Sequence, residues 1–476
     1  MCYTVPTESE YQSISLHGGI TMRIVIIGDG KVGYTLAEQL TKEKHDIVVV
    51  DNDKNSLQSA RDSLDVMIVN GNGASLEIQK EADVEHSDLL IATTSSDEIN
   101  ILCCILSRKL GYPHNIARVR NPDYSDQLAF LSKELGLSMT INPESAASEE
   151  IFRLVQYPSF LKRDTFAKGR VELVETKLTA ESGLVGKRLG QLHDVIGLKV
   201  LVCAVERGDN LFIPHGSFVF EAGDKISVTA PHRTLPKLIK ALGISTAKIR
   251  RVMIIGGSTT ASYVADDLLK AGVDVKIIER DQARCEELAE ELPQALIING
   301  DGSLQELLLE EGIRQMDAVI TLTDIDEENI VISMYAEAIG VPKTITKINR
   351  TGYGNIFSER GLGSIICPKQ LTTNEILRYV RAMGNRTGGS VKALHRIVDG
   401  RAEALEFDAQ AGRRYLNIPL SELKLKKNLL IACINRNGHT IIPSGGDCIL
   451  SGDIVIVVTI AGRNIADLDD ILADEG

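Results

Sequence analysis

Along this chain, short runs of Val, Ile and Leu alternate with amphipathic stretches about a dozen residues long, a pattern that predicts β-α-β-α units on a parallel sheet. RIVIIG reads as a strand, 32–44 as a helix, DIVVVD (46–51) as a strand, SLQSARDSL as a helix and VMIVNG (66–71) as a strand. A helix near 75–82, the strand DLLIATT (88–94), the helix NILCCILSRKLG, the strand NIARVRN (115–121) and a last helix over 123–135 complete the unit. The series then returns: VMIIGG, VDVKIIE, ALIINGDG, AVITLTD (318–324) and TITKINR (344–350) repeat its strands in order. Asp51 follows Gly28 by 23 residues, and Glu279 follows Gly256 by the same 23. Agreement in register at this many points means an internal duplication.

After each repeat the texture changes. ESAASEEIFRLVQYP after Pro143 and KQLTTNEILRYVRAM after Pro368 are amphipathic helices, each followed by an alternating strand, a short polar helix (LGQL; LSELKL) and a hairpin pair turning at RGDN or RNGH. The expected fold class is therefore α/β, with two Rossmann-like parallel-sheet domains each followed by a small α+β module. The expected boundaries are a disordered tail at 1–21, Rossmann-like domains at 22–142 and 249–367, connecting helices at 143–169 and 368–390, and small modules at 170–243 and 391–474. Met22 is a plausible alternative start of translation. The apolar faces of the connecting helices can be buried within the chain or against another copy of it.

The chemistry sits at the carboxyl ends of the strands. Gly28-Asp29-Gly30-Lys31-Val32-Gly33 lies between a strand and a helix, where backbone amides and the helix dipole favour pyrophosphate. Asp51 is placed to accept hydrogen bonds from the adenosine ribose and to repel a 2′-phosphate, which favours NAD(H) over NADP. The bland reading of the same residues is a tight turn that packs helix on strand. The second turn, Gly256-Gly257-Ser258-Thr259-Thr260-Ala261, has drifted, but Glu279 keeps the ribose acid. Asp301-Gly302 stands where the first copy has Asn72-Gly73. Thr93-Thr94-Ser95 and Leu322-Thr323-Asp324 close the crevices, or cap the helices that follow. Arg118 and Arg120 on the fifth strand can reach a terminal phosphate, which suits ADP or ATP; Lys347 and Asn349 form a weaker fork.

Composition narrows the rest. A net charge of −13 argues against nucleic acid and against a polybasic membrane-surface role. Apolar runs such as IVIVV (454–458) fall far short of the roughly 20 residues of a spanning helix, so direct membrane insertion is not expected. The eight cysteines form no CxxC pair or Cys/His cluster, so they read as small buried hydrophobes and no metal site is expected. No histidine falls at a strand end of either crevice, so no catalytic residue is expected.

The combination IVIIGDGKVG, VVVD, NGNG, ATTSSDEIN, ARVRNPDY and INPE, duplicated and followed each time by a small β module, resembles the TrkA family. These are peripheral NAD-binding subunits of Trk potassium-uptake systems, built from tandem RCK (KTN) domains. Asn72 and the turn GGSTTA depart from the pattern. The resemblance implies a cytoplasmic regulator without turnover, on the inner face of the membrane, binding NAD(H) and ADP/ATP. It implies a ring of RCK units beneath a Trk-type integral membrane potassium transporter subunit, hence a homotetramer, with no nucleic acid. Two other readings stay open at this point: an NAD-dependent oxidoreductase, and an RCK sensor of another cation channel or antiporter.

Overall fold

The computed structural model describes residues 21–473, apart from 112–113, most of 122–133, 159–161, 167–170, 209, much of 232–247, 351–362, 386–390, 399–400 and parts of 462–466. The expected tail, up to residue 20, and most of the helix expected at 123–135 lie outside the described residues.

The first unit runs β1 (Arg23–Ile27), α1 (Lys31–Lys42), β2 (Asp46–Asp51), α2 (Lys54–Ser63), β3 (Met67–Asn70), α3 (Leu76–Glu81), β4 (Leu89–Ala92), α4 (Asp97–Leu110), β5 (His114–Arg118) and β6 (Met139–Ile141). Its parallel strands stand in the order β3-β2-β1-β4-β5-β6, so the sheet reverses direction between β1 and β4 and opens a crevice there. The all-apolar strands follow from burial on both faces: Ile24 and Ile26 enter one core layer, Val25 and Ile27 the other.

An α-helix, α5 (Pro143–Gln156), follows; Asn142 caps it by accepting from the amides of Glu144 and Ser145, and Pro143 opens its first turn. The small module is an antiparallel sheet of β7 (Lys162–Phe166), β8 (Val171–Lys177), β9 (Leu201–Arg207), β10 (Asn210–Phe212) and β11 (Lys225–Pro231), in the order β10-β9-β11-β8-β7. Its first strand lies in the segment read from the sequence as a connecting helix, because α5 ends just before Pro158.

The second unit repeats the first as β12 (Arg251–Ile255), α6 (Thr259–Lys270), β13 (Asp274–Glu279), α7 (Gln282–Glu291), β14 (Leu296–Asn299), α8 (Gln305–Glu310), β15 (Ala318–Thr321), α9 (Asp326–Ala338), β16 (Lys343–Lys347) and β17 (Ser364–Ile366). Its strand order, β14-β13-β12-β15-β16-β17, matches the first. After α10 (Pro368–Asn385) come β18 (Val391–Ile397), β19 (Ala402–Asp408), β20 (Leu429–Arg436), β21 (His439–Ile441) and β22 (Ile454–Ile460), again in the first module's order. The expected helix at LSELKL is absent. Ser421 and Leu420 donate their amides to the carbonyls of Gly445 and Asp447, and Pro419 and Leu425 form isolated bridges to Cys448 and Leu472, so the backbone of this segment pairs with the β21–β22 connection and the chain near Leu472 rather than within a helix.

The connecting helices exchange partners. Ala147, Ile151, Leu154 and Val155 of α5 are buried in the core of the second unit with Val252, Ile254, Val264 and Leu268. Ile376, Leu377 and Val380 of α10 are buried in the core of the first, with Ile24, Ile26, Leu36 and Leu40. Both apolar faces are thus covered within the chain, which withdraws them as support for self-association. The two small modules also meet: Cys203 and Ala204 share a core with Ala432, Cys433, Ile456 and Val458, and Arg401 pairs with Glu206 across the contact.

Candidate nucleotide-binding crevices

Both glycine turns sit where β1 and β12 end. Gly28 has φ +99°, and a Cβ there would stand 2.7 Å from the backbone nitrogen of Thr94, so only glycine lets the turn pass under the β4–α4 loop. A Cβ at Gly33 would meet the Gly28 carbonyl at 1.9 Å, which brings α1 close against β1. Gly256 has φ +96° and the same close approach to Thr323. Ala261, in the place of Gly33, is fully buried in the core.

The two ribose-side acids are held alike. Asp51 accepts from the amide of Asp29 at 2.6 Å through one oxygen and from that of Asp53 at 2.8 Å through the other. Glu279 accepts from Gly257 at 2.6 Å and from Asp281 at 2.8 Å. Each carboxylate is fixed at the crevice edge with lone pairs left for a diol. Ser56 and Arg284 brace the turns from the next helix by donating to the carbonyls of Asp29 and Gly257.

The loops after β3 and β14 close Asx turns, with Asn72 accepting from Ala74 and Asp301 from Ser303. At the opposite wing, Thr94 donates its amide and hydroxyl to Asn100, as Thr323 does to Asn329. Asn100 donates in turn to the carbonyls of Thr94 and Arg118, and Asn329 to those of Thr323 and Lys347. Asp97 holds the amides of Arg120 and Asn121, and Asp326 those of Asn349 and Arg350. These four side chains join the end of the fourth strand to that of the fifth. Asp97, Asn100, Asp326 and Asn329 are not among the residues expected from the sequence; the recurrence of DEIN (97–100) as DEEN (326–329) is the signal that marks them.

Thr93 is buried and donates to the Gly28 carbonyl, tying the loop to the turn. The capping serine of α4 is Ser96, not a residue of the Thr93-Thr94-Ser95 run. Arg120 donates to the Ser95 carbonyl at the rim. Burial pushes the Arg118 guanidinium below its ordinary value, and its Nε has no hydrogen-bond partner among the described residues. Lys31 is exposed beside Gly30, while Val32 is buried against the core. In the second unit Lys347 is buried and reaches the Leu322 carbonyl and Asp324. Gly256, Gly257, Ser258, Thr259, Glu279, Asp301, Gly302, Thr323 and Asp324 line one cleft of about 340 Å³; Thr260, one step into α6, is buried behind it.

Asp29 sits in the first turn, where burial lifts its carboxyl to about 6, the Ser56 hydroxyl opposes the rise and the neighbouring Asp51 adds to it. A carboxyl raised in the folded protein contributes stability that is complete below its ordinary value and is lost as pH rises through 6. Asp29→Asn is expected to raise the melting temperature at pH 7.5 relative to the parent and to change it less at pH 5. An equal shift at both pH values would rule out ionisation of Asp29 as the cause.

The TrkA-N domain model matches residues 24–143 and 252–368, and the TrkA-C domain model matches residues 173–243. The Trk system potassium uptake protein TrkA homolog 1 of Methanosarcina mazei is 35% identical over 448 residues, covering 92% of this chain and 98% of its own. The Trk system potassium uptake protein TrkA of Haemophilus influenzae is 32% identical over 458 residues, covering 94% and 98%. The solved structure of the GsuK channel bound to NAD is similar in fold, with a TM-score of 0.60 at 16% identity over 96% of this chain and 80% of that one.

Proposed function

Because the chain belongs to the TrkA family of Trk potassium-uptake proteins, we propose that it is the nucleotide-sensing subunit that gates a Trk-type membrane transporter, binding NAD(H) and ADP or ATP in its crevices. As a family member it is a regulatory protein and not an enzyme. The observation that carries the nucleotide reading is the twice-built pairing of a glycine turn with an acid that braces it, Asp51 on Asp29 and Glu279 on Gly257. Among the described residues no helix is long and apolar enough to cross a membrane, which suits a subunit docked on the cytoplasmic face of its partner. Four chains closing a ring beneath that partner is the assembly we propose.

The two halves have a physical route by which ligand can change their relation. Arg120 reaches the first crevice's rim through Ser95, and its carbonyl accepts a hydrogen bond from Tyr263 of α6 at 3.2 Å. Asn142, the cap of α5, donates to both the Arg120 carbonyl and the Tyr263 hydroxyl. The helix carrying Tyr263 begins at the second glycine turn. A ligand that moves the rim therefore acts on the other half, and it shifts the ring's population only if it binds one arrangement more tightly. A tenfold change in transport needs about 1.4 kcal/mol of such coupling.

Titration of the purified chain with NADH, then displacement with ATP, ADP and NADPH, tests the reading. Saturable NADH binding, displaced by ATP and poorly by NADPH, is expected. Failure of every one of these to bind would reduce both turns to scaffold. Co-purification with a Trk-type membrane subunit, rather than another channel or antiporter, tests the partner.

A further inference from the structure

The two crevices agree at the ribose and disagree in charge across from it. Their elements pair one to one, so each position of the first has a counterpart in the second. One wing is formed by the helix start and the ends of the fourth and fifth strands. At the positions of this wing where the two units differ, the first places Lys31, Ser95, Ile99, Arg118 and Arg120, which are three cations, with Arg120 lying 3.8 Å from Asp97, an acid both units share as Asp97 and Asp326. The second unit places Thr259, Asp324, Glu328, Lys347 and Asn349 there, which are two acids and one cation. That cation is engaged, since the Lys347 ammonium lies 3.4 Å from Asp324. Asp301 replaces Asn72 at the facing loop, and burial together with Asp301 pushes the Glu328 carboxyl upward, against the opposing pull of Arg280. Ser258 stands at Gly30, the position where an added Cβ meets nothing within 4 Å and would project into open crevice.

On this wing a phosphate entering the second crevice meets carboxylates where the first offers guanidinium and ammonium groups, and like charges repel. The cleft's other cations, Arg280 and Arg284, come from the segment after Glu279, and Arg284 is held by the Gly257 carbonyl, Glu287 and Glu291. The cleft volume of about 340 Å³ is at the small end of ligand sites, roughly 300 to 1,000 Å³. Glu279 and the turn still present an acceptor pair for a ribose diol.

We infer that the second crevice takes an adenosine-class nucleoside carrying at most one phosphate, while dinucleotide and polyphosphate ligands are confined to the first. The inference rests on reading both crevices as nucleotide sites. It makes the second site respond to dephosphorylated adenine nucleotides beside a first site that responds to NAD(H) or ATP.

The test is calorimetry on the full chain already saturated with NADH. Adenosine and AMP are expected to add a second equivalent per chain, lost in Glu279→Gln, while ADP and ATP add none at that site. Asp324→Asn combined with Glu328→Gln is expected to tighten ADP there by about tenfold, because two repelling charges are removed. The proposal is overturned if NADH itself fills two equivalents per chain, or if adenosine and AMP do not bind the NADH-saturated chain. It is equally overturned if the double variant leaves ADP excluded. If NADH fails to bind the parent chain at all, the underlying reading of the crevices falls instead.

Discussion

Asp51→Ala is expected to weaken NADH binding by about 10- to 100-fold, the effect of removing hydrogen bonds to a charged acceptor worth roughly 1.5–3 kcal/mol. The carboxylate does two jobs at once. It offers acceptors to the ribose, and it holds the amides of Asp29 and Asp53, which set the turn and the start of α2. Asp51→Asn keeps the shape and one acceptor oxygen, so it should lose less affinity for NADH and admit NADPH better by removing the charge opposite a 2′-phosphate. In membranes carrying the transporter partner, potassium uptake with the Asp51→Ala chain should no longer follow the concentration of NADH. If uptake follows nucleotide normally in that variant, the first crevice is not the sensor.

Ile151→Ala should destabilise the half to which it is not adjacent in sequence. Ile151 is fully buried on α5, and its neighbours are the second unit's Val252, Ile254 and Leu268. Truncating a buried isoleucine costs about 2–5 kcal/mol, depending on how far the cavity collapses. Hydrogen exchange should therefore quicken in β12 and α6 while β1 and β2 keep their protection. Ile376→Ala on α10 should do the reverse, because its neighbours are Ile24, Ile26 and Leu36. Loss of protection confined to β1–β6 in Ile151→Ala would contradict the exchange of helices. A nucleotide-driven change of angle between halves would strain these same two helices, so the exchange also bears on regulation.

Much of the candidate site's placement is legible in the sequence. The strand runs are apolar on both faces because both faces are covered, and that pattern is local. Gly28, Asp51, Gly256 and Glu279 stand out as candidates because a glycine turn and an acid at the next strand's end are separated by a fixed length of helix and strand. Asn100 and Asn329 carry no sign of their role beyond the recurrence of DEIN as DEEN, because an asparagine in a helix's first turn reads as a local cap; their work is to join two strand ends that are close only in the folded sheet. Arg118 and Lys347 were correctly placed at strand ends, but their burial and engagement could not be read from residue type.

Sequence periodicity and spacing alone determined the duplication, the parallel α/β class, the paired crevices and the acids at their edges, because each depends on contacts within a few dozen residues. Tertiary structure decided which half each connecting helix covers. An amphipathic helix specifies that a face must be buried, but not against what. Both units offer similar apolar surfaces, so the choice rests on complementary packing and on polar contacts such as Asn142 with Tyr263 and Arg381 with Glu43, which join residues far apart in the chain.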